Sequence, residues 1–288
     1  MSITDRKIVI VFGFMVFMIV GCGQKPEPDQ TQPQTTEVIT EGSGFSDNAG
    51  LFEDNGSKGG EILVIPDLAG LDAGTILDSA SIDLENIERY FMAFDIVEGD
   101  DVYRRINGRS YRKNDDIELK DLVYLKMPHY NFNGEIQVGE LIVNRQIASD
   151  TVEIFKGLFM EKYPIESMFL VDNYWTGDPS AADTESMEYN NTSAFNYRPV
   201  TSGSRLSNHA YGRAIDINPR QNPYVSYRDG QPHWVPGNAD KYIDRTSGLA
   251  YMITHDDLAY RLFKERGFDW GGDWNSVKDY QHFEKPMK

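Results

Sequence analysis

Ser207-Asn208-His209-Ala210-Tyr211-Gly212-Arg213-Ala214-Ile215-Asp216-Ile217-Asn218 is the stretch from which the rest of the chain is best read. A histidine is followed, across a glycine, by an aspartate set inside an apolar run. Ala214, Ile215 and Ile217 describe a buried strand. A carboxylate in such a strand is costly unless it is paired, hydrogen-bonded or bound to a metal. A zinc ion held by Asp216 meets that demand.

A second cluster lies downstream: Trp270-Gly271-Gly272-Asp273-Trp274, then Asp279-Tyr280-Gln281-His282-Phe283-Glu284. It supplies another histidine with a carboxylate three positions before it. Two histidines and one carboxylate make a common catalytic zinc set, which leaves the fourth tetrahedral position to water. The metal lowers that water's pKa and a nearby carboxylate takes its proton, a task for which Asp279 is placed. His129, His233 and His255 have no carboxylate at a matching spacing and read as surface or satisfied core residues. Ser207 reads equally as a turn residue or a substrate donor. Trp270 and Trp274 read as core and cleft wall, with Trp270 taken as a substrate contact, and Glu284 and Asp273 as supporting or solvated groups. Gly212 and Gly271 permit backbone shapes that a side chain would forbid.

Upstream, the pattern mixes both kinds of element. EILVIP (61–66) reads as a short strand, and Ile82, Leu84, Ile87 and Phe91 recur at helical spacing behind Ser81 as a cap. Asp121–Leu125 and Glu140–Val143 flank a turn-rich piece around Gly134, as in a hairpin. Ile147, Val152, Phe155, Leu158 and Phe159 predict a helix that Pro164 ends. Met168–Val171 then reads as a buried strand, followed by an acidic, small-residue loop and a strand over Ser193–Val200. A last helix is expected at 256–266, stopped by Gly267. Without a regular βαβ rhythm, the fold class is α+β.

The N-terminus has another character. Arg6 and Lys7 precede an apolar run from Ile8 to Val20, too short for a comfortable membrane span and ending in Ile19-Val20-Gly21-Cys22. This ending looks like a bacterial lipobox, so 1–21 is expected to be a lipoprotein signal and Cys22, the only cysteine, to carry lipid. Residues 22–60, rich in Pro, Gln, Thr, Gly and acids, are expected to be a disordered tether. Residues 61–145 are expected to form an extension packing on a catalytic domain at 146–288. No disulfide is possible within the chain. A net charge of −17 without any Lys/Arg cluster argues against a nucleic-acid partner.

The two clusters resemble the signature S-x-H-x-x-G-x-A-x-D, followed by D/E-x-x-H, of the VanY-like zinc D-alanyl-D-alanine carboxypeptidases and L-alanyl-D-glutamate endopeptidases. Ser207, His209, Gly212, Ala214 and Asp216, then Asp279 and His282, fill every fixed position. GELIVN, NNTSAFNYR, AIDINPRQNPYV and WGGDW also look like one branch of that family, and the resemblance runs from about Phe94 to the C-terminus. It implies a fold shared with the signalling domain of Hedgehog proteins: a small antiparallel sheet flanked by helices, with zinc in a cleft. It also implies that His209, Asp216 and His282 are ligands, that Asp279 is the base, and that an arginine stabilises the oxyanion. Arg198 matches the strand ending in Tyr-Arg, while Arg205 lies nearer the metal motif; Arg198 is the preferred assignment. The expected protein is an exported, lipid-anchored, monomeric zinc peptidase acting on peptidoglycan peptides. The alternative is a zinc-stabilised lipoprotein that binds wall peptides without cutting them.

Overall fold

The computed structural model of the chain describes residues 64–200, 203–228 and 230–286. The expected signal at 1–21, the expected lipidated Cys22 and the expected tether at 22–60 lie outside the described residues. Strands β1 (Ile76–Leu77), β2 (Met92–Asp95), β3 (Leu122–Tyr130) and β4 (Ile136–Asn144) form an antiparallel sheet in the order β1-β4-β3-β2. The expected hairpin is its centre: Leu122 pairs with Asn144 and Tyr130 with Ile136 around a turn in which Gly134 has φ 79°. A short helix α1 (Asp101–Ile106) follows β2.

Asn144 ends β4 and caps helix α2 (Arg145–Met160), accepting a hydrogen bond from the Gln146 N–H at 3.0 Å. Ile147, Ala148, Thr151, Ile154, Phe155, Leu158 and Phe159 face inward at helical spacing and pack on the sheet. Truncating one of these large side chains, such as Phe155→Ala, costs about 3–5 kcal/mol by cavity formation. A single core cluster runs from Leu68 through α2 to Phe283, so residues on both sides of the 145/146 division share it.

Beyond α2 come β5 (Ser167–Met168), α3 (Pro179–Glu188), β6 (Asn191–Thr192), β7 (Ala214–Asp216), β8 (Tyr224–Arg228), β9 (Gln231–Val235), α4 (Leu258–Glu265), β10 (Asp269–Trp270), β11 (Val277–Asp279) and β12 (His282–Glu284). They make two further antiparallel sheets, β10-β12-β7 and β11-β8-β9, and one parallel pair, β5-β6. Helices and small, mostly antiparallel sheets in this arrangement are compatible with the α+β class.

Several local expectations need correction. Residues 64–66 of EILVIP are not in a strand. The expected helix behind Ser81 is two 3-10 segments, Ser79–Ser81 and Leu84–Tyr90, capped by Asp78 and Asp83. Those aspartates bond neighbouring amides and compete with a regular α-helix. The Met168–Val171 strand stops at Met168 because Val171 opens a 3-10 turn. Ser193–Val200 is extended but forms no ladder: the Phe195, Asn196 and Tyr197 amides donate to Ile142, His209 and Ser110, on three separate segments. The acidic loop contains α3, whose weak apolar pattern hides a strong start. Asp178 accepts from the Ser180 and Ala181 amides and Pro179 occupies the first turn.

Candidate metal centre

Ser207 begins the site. Its Oγ accepts from the His209 N–H at 3.3 Å and caps a 3-10 turn over Asn208–Tyr211. Gly212 ends that turn in the left-handed region, at φ 63° and ψ 24°. A Cβ there would lie 2.7 Å from the Asn144 nitrogen and 3.1 Å from the Val143 carbonyl carbon. The close approach lets the Gly212 carbonyl accept from Asn144 N at 2.7 Å, which pins the turn to the junction of β4 and α2. Chain direction then reverses into β7.

In β7, Asp216 stands directly opposite His282 of β12, and Ala214 opposite Glu284. Directly opposed residues hold their Cβ atoms about 4.5–5.5 Å apart, so the pairing itself presents the carboxylate to the imidazole. His282 Nδ1 lies 3.0 Å from Asp216 Oδ1; His209 Nε2 lies 3.3 Å from Asp216 Oδ2 and 3.1 Å from His282 Nδ1. All three side chains are buried. Their ligand atoms lie within 4.8 Å of one another, and no other such group occurs among the described residues.

The outward-facing ring nitrogens decide what the inner ones can do. His209 Nδ1 donates to the Ala194 carbonyl at 2.5 Å, and His282 Nε2 donates to Glu284 Oε2 at 2.9 Å. A neutral imidazole that donates from one nitrogen carries a lone pair on the other. Two lone pairs and a carboxylate therefore converge in a buried space, an arrangement that a cation relieves. The residues fit a zinc ion: two imidazole nitrogens and one carboxylate oxygen, each imidazole braced by a second hydrogen bond. Burial disfavours charge on His282, but hydrogen bonds with Asp216 and Glu284 outweigh it and raise its pKa to about 10. Burial opposes the Asp216 charge too, yet His209 and His282 outweigh it and hold this carboxyl far below the usual range.

Asp279 approaches from a different sheet. It ends β11, paired with Tyr224 of β8, and Tyr280 and Gln281 bridge the change of sheet to β12. The chain thus switches sheets between Asp279 and His282. Gly271 makes room for it, since a Cβ there would lie 2.5 Å from the Asp279 carbonyl oxygen. Asp279 Oδ1 has no hydrogen-bond partner among the described residues. Burial pushes the pKa of Asp279 up to about 7, against the opposing charges of His282, His209 and Arg198.

The metal set, Asp279, Ser207, Arg198 and Arg205 line one cavity of about 870 Å³. Arg198 is buried and pairs with Asp183 at 2.7 Å, whereas Arg205 is exposed. Trp270 is placed elsewhere. It lies in the hydrophobic core, its Nε1 donating to the Tyr280 carbonyl at 2.9 Å, and Trp274 forms the cavity wall, 5.3 Å from the His282 ring. Trp270 thus has a packing position and not the substrate contact expected of it.

Burial lowers the pKa of His129 to about 4, so it stays neutral in the core, and His255 pairs with Asp273 at the surface, 2.7 Å apart. Sequence reasoning did not find Asn208, which donates to Glu284 at 2.6 Å, or Gln281, which donates to Asp216 Oδ2 at 3.3 Å. Nor did it find Asp183. Gln281 and Asn208 stand beside His282 and His209 in the sequence, and that adjacency was the available signal.

Residues 201–285 match a family model described as D-alanyl-D-alanine carboxypeptidase, which supports the VanY-like resemblance and a peptidase of that kind. The matched segment holds all three metal-site residues and Asp279 but not Arg198, and is shorter than the span from Phe94 expected from sequence. No curated protein and no solved structure matches the chain.

Proposed function

We propose that the chain is a zinc metallopeptidase of the D-alanyl-D-alanine carboxypeptidase type, hydrolysing peptide bonds in peptidoglycan stem peptides. The observation that carries this reading is Asp279: a half-buried residue whose Oδ1 is itself buried and has no partner among the described residues shares the cavity of the His209–Asp216–His282 set. A module that only bound peptides would have no use for a base with a pKa near neutrality at that place. A zinc ion bound by the three residues would supply Lewis-acid chemistry, polarising a water and the scissile carbonyl.

The chain's own groups do the rest. Asp279 accepts the proton of the attacking water as the C–O bond forms, and Arg198 donates hydrogen bonds to the developing oxyanion. Asp279 then delivers that proton to the amide nitrogen as the C–N bond breaks, releasing a carboxylic acid and an amine. The antiparallel β7–β12 pair that presents the ligands is consistent with a Hedgehog/D,D-peptidase-like zinc fold. Export on a lipid carried by Cys22, with the 22–60 tether spacing a monomeric catalytic unit from the membrane, completes the proposal.

Metal analysis and mass spectrometry of muropeptides test it. The purified protein is expected to hold about one zinc per chain and to release a D-alanine from muropeptides; His209→Ala and His282→Ala lose both properties. Zinc-loaded protein that binds muropeptides and cleaves none would favour the binding-module alternative. Cys22→Ser is expected to move the protein out of the membrane fraction with normal activity on small peptides.

A further inference from the structure

Part of the cavity wall is built by α3, which lies outside the segment matched by the family model. Ser180, Asp183, Thr184 and Met187 all line the cavity. Their spacing of i, i+3, i+4 and i+7 places them on one face of the helix. Asp183 stands in the middle of that face, its Oδ2 2.7 Å from Arg198 Nη2, and both side chains are at most 10% exposed.

We infer that Asp183 is a positioning residue: through its ion pair it fixes the plane of the Arg198 guanidinium so that the remaining donors are presented to the reacting carbonyl. Three observations converge. Arg198 follows the Ser193, Phe195, Asn196 and Tyr197 amides, which donate to four other segments, and its own carbonyl accepts from Ser207 N, so its backbone is held while its long side chain has several torsions to lose. The side-chain contacts divide the guanidinium: Nη2 is taken by Asp183 and Nη1 by the Pro199 carbonyl at 3.2 Å, while Nε is buried without a partner. A buried donor left unpaired is costly unless a ligand completes it. Finally, the helix and the arginine segment are joined independently of the ion pair, because Asn196 Nδ2 donates to the Pro179 carbonyl at 2.9 Å. Helix α3 is therefore held beside the arginine segment by a second link besides the ion pair. A planar, five-donor cation gains most from such a clamp, since one bound edge sets the direction of every other N–H.

The inference rests on the peptidase reading and on Arg198 as the oxyanion donor, and the test separates these levels. Zinc-loaded, full-chain Arg198→Ala, Asp183→Asn and the double variant are assayed for kcat and KM on a muropeptide, with zinc content and melting temperature measured alongside. Arg198→Ala is expected to lower kcat by about 10²-fold. Asp183→Asn preserves the shape of the side chain and is expected to lower kcat about tenfold with KM within about twofold, zinc being retained. The double variant is expected to be no slower than Arg198→Ala alone, because a positioning residue has nothing left to position. Asp183→Glu, which restores the charge, is expected to recover part of the loss; it also serves if Asp183→Asn folds poorly. Independent, multiplying losses, or normal turnover in Asp183→Asn beside an impaired Arg198→Ala, overturn the positioning role alone. Normal turnover in Arg198→Ala overturns it through its premise about the arginine. A zinc-loaded wild type that cleaves no wall peptide overturns the peptidase reading and this inference with it.

Discussion

Glu284 offers the sharpest test of how the imidazoles are prepared for a metal. Its Oε2 accepts from His282 Nε2 at 2.9 Å and from Asn208 Nδ2 at 2.6 Å, so it is itself held while it holds the ring. Removing the carboxylate in Glu284→Ala frees the His282 ring to rotate and to adopt the tautomer with its proton on Nδ1, the nitrogen that faces His209 and Asp216. It also removes the anion that makes this ring a better donor to a cation. Losing a hydrogen-bond partner of a metal-bound histidine weakens metal binding about 10- to 100-fold, equivalent to about 1.4–2.7 kcal/mol. Glu284→Gln, which keeps an acceptor of the same size, is expected near the lower end of that range. The assay is a zinc titration in competition with a chromophoric chelator, at a pH held constant across variants. The reasoning fails if Glu284→Ala binds zinc as tightly as wild type. It fails equally if Glu284→Gln is as weak as His282→Ala, because Glu284 would then act as a ligand in its own right.

Zinc-replete Asp279→Ala or Asp279→Asn is expected to keep its metal and lose turnover about 10²-fold or more, checked by steady-state rates beside metal analysis. Because the metal-free chain holds a proton on His282 up to about pH 10, zinc binding at pH 7 is expected to release about one proton. The sign follows: acid favours the proton, so zinc affinity falls as pH falls. Calorimetry in buffers of different ionisation enthalpy measures the release, and affinity independent of pH between 6 and 8 would refute it. Gly212→Ala places a Cβ 2.7 Å from the Asn144 nitrogen in a left-handed backbone, and is expected to cost about 1–3 kcal/mol or more, read from the melting transition. An unchanged transition would mean that the turn is not fixed as described.

What could be read in the sequence was whatever one local signal determines. The β3–β4 hairpin follows from apolar runs around a glycine turn, and α2 from its inward-facing positions; neither needs knowledge of the rest of the chain. The grouping of His209, Asp216 and His282 was legible for a related reason. An aspartate inside Ala214-Ile215-Asp216-Ile217 contradicts its surroundings, and a contradiction of that kind usually marks a site. Of the expectations that failed, the helix behind Ser81 yielded to local aspartate caps, whereas the place of the tryptophans depends on partners distant in the chain. Trp270 and Trp274 are alike in sequence, and only the packing of β10 against β12 sends one to the core and the other to the cavity.

Helix α3 is the instructive case. Pro179-Ser-Ala-Ala-Asp-Thr-Glu-Ser-Met-Glu188 has little apolar periodicity because the face it turns inward meets a polar cavity and Arg198 as much as a hydrophobic core. A helix that serves as the wall of a site carries polar residues where a core helix carries leucines, so hydrophobic patterning passes over it. The cap at Asp178-Pro179 was its visible mark. The same property that concealed α3 bears on its role: Asp183 would be a poor residue in an apolar core, and its buried position makes physical sense once the charge of Arg198 lies 2.7 Å away.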